Sequence, residues 1–402
     1  MRKQDKLVAP DAYLVGITLA LTVIGVLLVF DSSYAMAGKD VLYFAKRQLI
    51  FAVIGLIGMG LVSNLPLIAY KKLTNGLLGL SFILLVAVLI PGIGGHAANG
   101  SVRWFDLGPI KFQPSELAKI AVVLYLSAIL VKRRVAKTHS LVDIAYPLAF
   151  IGVILALIVK EDLGTAIALA GTVFVMLFIG GIAKYQLVTI FIAGIVAGVG
   201  SIFLESYRIG RILIWLNPWR DLYGNGYQIA HSLIALGTGG IRGLGLCEGR
   251  EKLYLPAAHT DYIFATLGEE LGLIGAVALL IAFLFFTWRG FDIAGRSKST
   301  YANFLAVGVT SMITLQALIN VAVVSNSIPS TGVPLPFISY GGSSIVIMLM
   351  GAGILLSVSR QVNVVLEERD LYEDSSDGGR HRRAHLSRNK RGSGPSRGRS
   401  RR

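Results

Sequence analysis

Charge is what this sequence has least of. Asp, Glu, Lys and Arg make up 15% of its 402 residues, against about a quarter in a soluble domain. Hydrophobic residues make up 54%, and the mean hydropathy is +0.67, which excludes a soluble globular protein. A single cysteine, Cys247, excludes an internal disulfide. His96, His139, His231 and His259 lie far apart, without the short spacings of a metal site. Neither a Walker loop nor a GxSxG elbow is present, so neither NTP hydrolysis nor a serine nucleophile is supported. No cleavable leader is expected, because the first apolar run lacks a small-residue cleavage site and further runs follow it.

What the sequence has instead is apolar runs of bilayer length, about 20 residues each. They begin near Tyr13, Gln48, Gly76, Ser115, Ile144, Leu163, Leu187, Ile263, Phe304 and Ser343. The third, ending at Pro91, is short, and the fifth is marginal. The expected fold is therefore all-α: a polytopic membrane protein of about ten transmembrane helices, with a membrane domain over residues 1–365. Ten spans put both termini on one side. Most of the 38 Lys and Arg fall in one alternating set of connections: Arg2 to Lys6, Lys71 and Lys72, Lys132 to Lys137, Lys184, Arg289 to Lys298, and the tail. Positive charge marks the cytoplasmic side, so both termini are expected there, in the cytoplasmic membrane. The large loop between spans seven and eight, residues 205–262, is then extracytoplasmic. After Leu366 a short acidic patch gives way to a Ser/Gly/Arg-rich end over residues 366–402, too polar to bury a core. Such a tail fits a topology anchor on anionic lipid or a protein contact. No nucleic-acid partner is expected, although the formal charge is +15, because the basic run has no folded binding module beside it.

The few charges near spans then become informative, since charge at membrane depth is costly and usually faces a cavity. Arg47 stands at the start of the second span and reads equally as an interfacial snorkelling residue. Arg103 follows a turn at Asn99-Gly100. Glu116 and Lys119 are three apart on one helix flank, either an ion pair or part of a polar cavity. Asp162 suits a helix cap. Arg208 and Arg211 open the large loop, where cations suit anionic head groups or anchor at the interface. Asp261 is the strongest candidate: it is flanked by His259, Thr260 and Tyr262 where a span begins, and it serves as a base or as an N-cap. Between the last two spans, three prolines and three glycines from Pro329 to Gly342 forbid a plain helix. Irregular backbone of that kind needs protein or a watery cavity around it. In this stretch, Gly341, Gly342 and Ser343 present backbone N–H groups at a helix start, a ready anion site.

Eight segments resemble the SEDS family, the FtsW, RodA and SpoVE group. They are Lys46–Gln48, Val102–Gly108, Phe112–Lys119, Glu161–Ala166, Asn217–Asp221, Gly224–Gly240, Leu255–Gly272 and Pro334–Ser344, in family order across about residues 10–365. Two positions depart from the family pattern: Ala257 stands where glutamate is usual, and Lys160-Glu161 where Gln-Pro is usual. The resemblance, closest to the divisional type, implies a peptidoglycan glycosyltransferase acting on lipid II and the nascent glycan strand. Its partners would be a class B penicillin-binding protein and other divisome proteins.

The resemblance places the family's catalytic aspartate on Asp261, and the residues' own charges and positions suggest the binding roles. Asp261 is the expected catalytic base. Substrate-binding roles are expected for Arg47, Arg103, Glu116, Lys119, Arg208, His259, Thr260, Ser339, Gly341, Gly342 and Ser343. Among these, His259 orients and Thr260 shapes the turn. Cofactors are left open between none and a divalent cation, with no metal ligands assigned. The rival from another class is a lipid II flippase, its charges lining a passage; a noncatalytic divisome scaffold is a third reading, and an elongation-type polymerase is the alternative within the family.

Overall fold

The computed structural model describes residues 9–34, 42–92, 103–106, 108, 111–136, 142–203, 205–256 and 258–361. The basic residues at 2–6, the turn at 99–100, Ala257 and the tail after 361 lie outside them. Among the described residues there are ten long helices: α1 (Ala12–Tyr34), α2 (Tyr43–Ser63), α3 (Leu67–Val88), α4 (Pro114–Ala136), α5 (Val142–Glu161), α6 (Leu163–Ile179), α7 (Lys184–Phe203), α10 (Ile263–Arg296), α11 (Thr300–Val324) and α12 (Gly342–Gln361). Shorter helices α8 (Ser206–Leu216) and α9 (Tyr227–Gly239) lie in the large loop. Among the described residues, eight of these are long and apolar enough to cross a bilayer; α6 is a shorter apolar helix, and it and α5 lie where two further runs were expected. A two-stranded hairpin, β1 (Phe105–Asp106) with β2 (Lys111–Phe112), precedes α4.

Two elements differ in length from the sequence expectation. Helix α3 is 22 residues long because it starts at Leu67 and takes in both Lys71 and Lys72. These lysines are exposed, and Lys71 lies 4.8 Å from the centre of the Tyr301 ring, a cation–π contact that lets the helix run past its own charges. Helix α5 reaches 20 residues with Pro147 near its start.

The core gathers on α11, which packs against α10, α6, α4 and α9. Helices α4, α11 and α12 are mostly buried, whereas α7 is mostly exposed and apolar, as a helix facing lipid would be. The large loop is folded rather than open. Helix α10 breaks at Gly272, whose φ is +64°, and the strand of chain after α9 fills the break. Leu244 and Gly245 donate to the carbonyls of Glu269 and Glu270, while Leu273 and Ile274 donate to Gly240 and Ile241. The hydrogen bonds lost by the helix are thereby replaced. A side chain at Gly243 would come within 2.0 Å of the Glu270 carbonyl, so that approach requires glycine. A buried ion triad fastens the same loop to the bundle: Lys252 Nζ lies 2.6 Å from both Asp31 on α1 and Glu270 on α10.

Candidate active site

Asp261 sits just before α10, with Asn320 of α11 bonded to its backbone and Asp162, Arg103 and Arg211 near its carboxylate. It does not cap α10: the N-cap is Tyr262, without a side-chain cap bond. Its carboxylate forms no hydrogen bond or ion pair among the described residues. The backbone is held instead. Asn320 on α11 donates to the Asp261 carbonyl and to that of Val333, each at 2.8 Å. Ser339 donates to the Thr260 carbonyl at 2.6 Å and accepts from the Leu335 amide at 2.8 Å. The Tyr340 amide donates to the His259 carbonyl at 2.9 Å, and Gln48 on α2 donates to the Ser339 carbonyl at 3.2 Å. The proline-rich segment between α11 and α12 is thus a frame that fixes the backbone of residues 259–261 and leaves one carboxylate free.

The charges around that carboxylate set its basicity. Burial comes first, pushing Asp261 up to about 6 from the usual range near 3.8, and the anionic Asp162 adds to the rise. Arg103 and Arg211 oppose it, as nearby cations do. A side chain at Gly332 would lie 3.5 Å from Asp261 Oδ2 and 3.7 Å from Arg103 Nη1, so both groups approach the same spot. Arg103 Nε is buried without a partner; such an orphaned donor is costly and suits an anion. Asp162 caps α6, accepting from the Gly164 amide and the Thr165 hydroxyl at 2.9 Å each, as its sequence position indicates. Arg103, Asp162, Arg208, Arg211 and Thr331 line one cavity of about 340 Å³. Leu163, Ile167 and Ile202 are shared between it and an apolar groove of about 520 Å³ along α5, α6 and α7.

The other expected site residues fall into four places. Arg208 lines the cavity, but its donors are committed to the carbonyls of Ser201 at 2.8 Å and Val159 at 2.6 Å. Arg211, one turn on, is the cation whose field reaches Asp261, and it donates to the Ser330 carbonyl at 3.0 Å. His259 and Arg47 belong to an aromatic cluster: the His259 ring lies 4.5 Å from Phe44 and 5.4 Å from Tyr340, and Arg47 bonds the Tyr43 hydroxyl. Burial holds the His259 imidazole below its usual range, so this ring stays neutral near pH 7. Gly341 to Ser343 form the start of α12, with Gly342 pressed against the Phe51 ring. Glu116 and Lys119 are 1% exposed and pair at 2.9 Å, with Gln316 accepting a second bond from Lys119 at 2.5 Å. Gln316 in turn donates to the Pro334 carbonyl at 3.0 Å. The pair therefore supports the frame from behind and lies apart from the cavity lining. Among the described residues, no group of three or more His, Cys, Asp or Glu is arranged to hold a metal ion.

The profile of the cell cycle protein family FTSW_RODA_SPOVE matches residues 12–364. The chain belongs to this family. It is 42% identical over 360 residues to stage V sporulation protein E of Bacillus subtilis, covering 88% of this chain and 98% of that protein. It is 39% identical to a probable peptidoglycan glycosyltransferase FtsW of Geobacter sp., covering 88% of this chain and 97% of the relative. A solved chain from a peptidoglycan synthase complex that coordinates polymerization and crosslinking superposes with a TM-score of 0.73 at 30% identity, over 88% of this chain and 98% of that one. Thermus thermophilus rod shape determining protein RodA follows at 0.66 and 27%, over 88% and 97%.

Residues that sequence reading passed over are Gln316 and Asn320, the two α11 side chains that hold the frame, and the Asp31–Lys252–Glu270 triad. An Asn and a Gln four apart on an apolar helix share one face, and that was the available signal. The triad had none, because Asp31 and Lys252 are 221 residues apart.

Proposed function

We propose that the chain is a peptidoglycan glycosyltransferase that polymerises lipid II at the outer face of the cytoplasmic membrane, in the divisional role, together with a class B penicillin-binding protein. The observation that carries this reading is the free Asp261 carboxylate, near pKa 6 and flanked by cations that do not pair with it. A base poised close to neutral pH is suited to proton transfer. Asp261 takes the proton from the 4-hydroxyl of the acceptor's N-acetylglucosamine. The oxygen attacks the anomeric carbon of the donor glycan, and the bond from that carbon to the pyrophosphate oxygen breaks. The undecaprenyl pyrophosphate departs with the bonding electrons, and Arg103 and Arg211 stabilise its growing charge. The apolar groove along α5, α6 and α7 opens from the charged cavity and offers a place for an isoprenoid chain. Packing of Glu116, Lys119 and Gln316 against one another supports an enzyme over a flippase, because a passage would need those charges along its wall.

The test is Asp261→Asn, which keeps size and removes the base. The purified variant, with its partner, should polymerise lipid II at least ~100-fold more slowly while binding lipid II and partner normally. A near wild-type rate would return Asp261 to a structural role. Orientation is tested separately by impermeant thiol labelling of intact cells on a Cys247-free background. A cysteine at Tyr223 should label and one at Lys132 should not; the reverse pattern would overturn the outward placement of the site.

A further inference from the structure

Beyond α8 lies a second cavity of about 960 Å³, and its wall toward the charged cavity is shared: Tyr207, Arg211 and Ser330 line both. The two chambers differ in chemistry. The larger one is lined by Tyr223, Tyr227 and Tyr254 together with the amides of Asn225 and Gln228. Arg211 is the one charged side chain on its lining among the described residues, so it suits a neutral, hydroxyl-rich ligand better than a polyanion. Tyrosine offers a flat apolar face with a polar edge at low conformational cost. Those features match a pyranose, which presents C–H bonds on its faces and hydroxyls around its rim.

The rings are held in advance of any ligand. Tyr227 on α9 lies 4.2 Å from the His231 ring, and His231 stacks on Tyr254 at 5.7 Å and 20°. His231 Nδ1 is fixed by Glu251 at 2.5 Å. One stack thereby joins two tyrosines that are far apart in sequence. Tyr223 is placed by a tight turn: the Asn225 amide bonds the Asp221 carboxylate at 2.9 Å, the Gly226 amide bonds the Asp221 carbonyl at 3.1 Å, and a side chain at Gly226 would meet the Pro218 carbonyl at 2.4 Å. The turn leaves the Tyr223 ring 98% exposed at the mouth of the cleft. The hydroxyls of Tyr223, Tyr227 and Tyr254 bond no described residue.

We propose that this tyrosine cleft is a saccharide subsite, holding neutral hexosamine units of the glycan strand beyond the pair that reacts at Asp261. The identity of the strand rests on the glycosyl-transfer reading above; the preference for a sugar rests on the cleft's own chemistry. The probe is chitotetraose, a soluble oligomer of N-acetylglucosamine, followed by saturation-transfer NMR on the full chain in detergent. Saturable binding is expected, weakened at least fivefold by Tyr223→Ala and by Tyr254→Ala. Tyr254→Phe, which keeps the ring, should lose less than Tyr254→Ala. Tyr146→Ala, an exposed tyrosine on α5, and Asp261→Asn should bind as the wild type does. In lipid II polymerisation with the partner, Tyr223→Ala should shorten the product strands at least twofold. Because Tyr223 is almost wholly exposed, its loss cannot be ascribed to unfolding. No binding by the wild type, or equal binding by both alanine variants, overturns the proposal. So does loss of partner co-purification with sugar binding unchanged, which would make the cleft a protein-docking surface. Asp261→Asn that polymerises normally would remove the base without touching the subsite.

Discussion

Two acid–cation groupings are tied to the same proline-rich segment, at Pro334 through Gln316 and at Val333 through Asn320, and they are built in opposite ways. Glu116 and Lys119 meet at 2.9 Å, 1% exposed, with Gln316 completing the lysine's bonds. Asp261 has Arg103 and Arg211 near enough to feel, yet pairs with neither. The first grouping neutralises itself and becomes scaffold. The second keeps a carboxylate near pKa 6 beside the unpartnered Arg103 Nε. The same residue types serve packing or chemistry according to whether their partners are within bonding distance, which sequence spacing reports only for near neighbours.

The largest way to break the contrast is to unpair the buried couple. Lys119→Met leaves the buried Glu116 without its partner, and Glu116→Gln does the converse; each should cost about 3 kcal/mol or more. The double variant should lose less than the two single losses added, because no unpaired charge remains. Folded yield and thermal stability in detergent measure this. Additive losses would mean that the pair is not coupled.

Next come the cations of the open grouping. Arg103→Gln and Arg211→Gln should each slow polymerisation by roughly 10- to 100-fold, the range of about 1.5–3 kcal/mol for a hydrogen bond to a charged group. Neither should lower folded yield as Lys119→Met does. Arg208→Gln should show the reverse profile, since its donors hold the Ser201 and Val159 carbonyls. Rates and yields measured on the same preparations separate the two behaviours. An Arg211→Gln enzyme at full rate would take that residue out of pyrophosphate stabilisation.

This contrast also marks what the sequence made legible. Ten apolar runs gave the helices, because bilayer length and hydrophobicity are properties of a continuous stretch. The Glu116–Lys119 pairing followed from i,i+3 spacing; its enclosure did not, because Gln316 arrives from 197 residues away. Asp261 could be singled out, but whether it capped α10 depended on where the helix began, one residue later than its side chain could serve. Arg208 and Arg211 were indistinguishable as two loop cations. What separates them is which carbonyls α8 finds on docking, and that is tertiary information. The irregular segment before α12 was legible from its prolines and glycines; its work of bracing residues 259–261 through Ser339 and Tyr340 was not.

The finest adjustment of the open grouping is its second carboxylate. Asp162 raises the affinity of Asp261 for a proton, since two nearby negative charges disfavour one another. Asp162→Asn removes that charge while keeping one oxygen to accept from the Gly164 amide, so the backbone cap of α6 survives; the Thr165 hydroxyl, which bonds the other carboxylate oxygen, turns to accept from the new amide NH2. The sign follows directly. A base works when deprotonated, so activity falls as pH drops through its pKa, about 6 for Asp261. Taking away a neighbouring anion lowers that pKa, and the acid limb of the rate profile should move to lower pH by about half a unit to one unit, within ~1.4 kcal/mol. Arg103→Gln removes an opposing cation and should move the same limb upward, on top of its loss of rate. Polymerisation rates from pH 5 to 8 for the three proteins would test both directions together. An acid limb that stays fixed in both variants would mean that Asp261 does not titrate in the field of these groups, and the open grouping would then be no more than a second, looser scaffold.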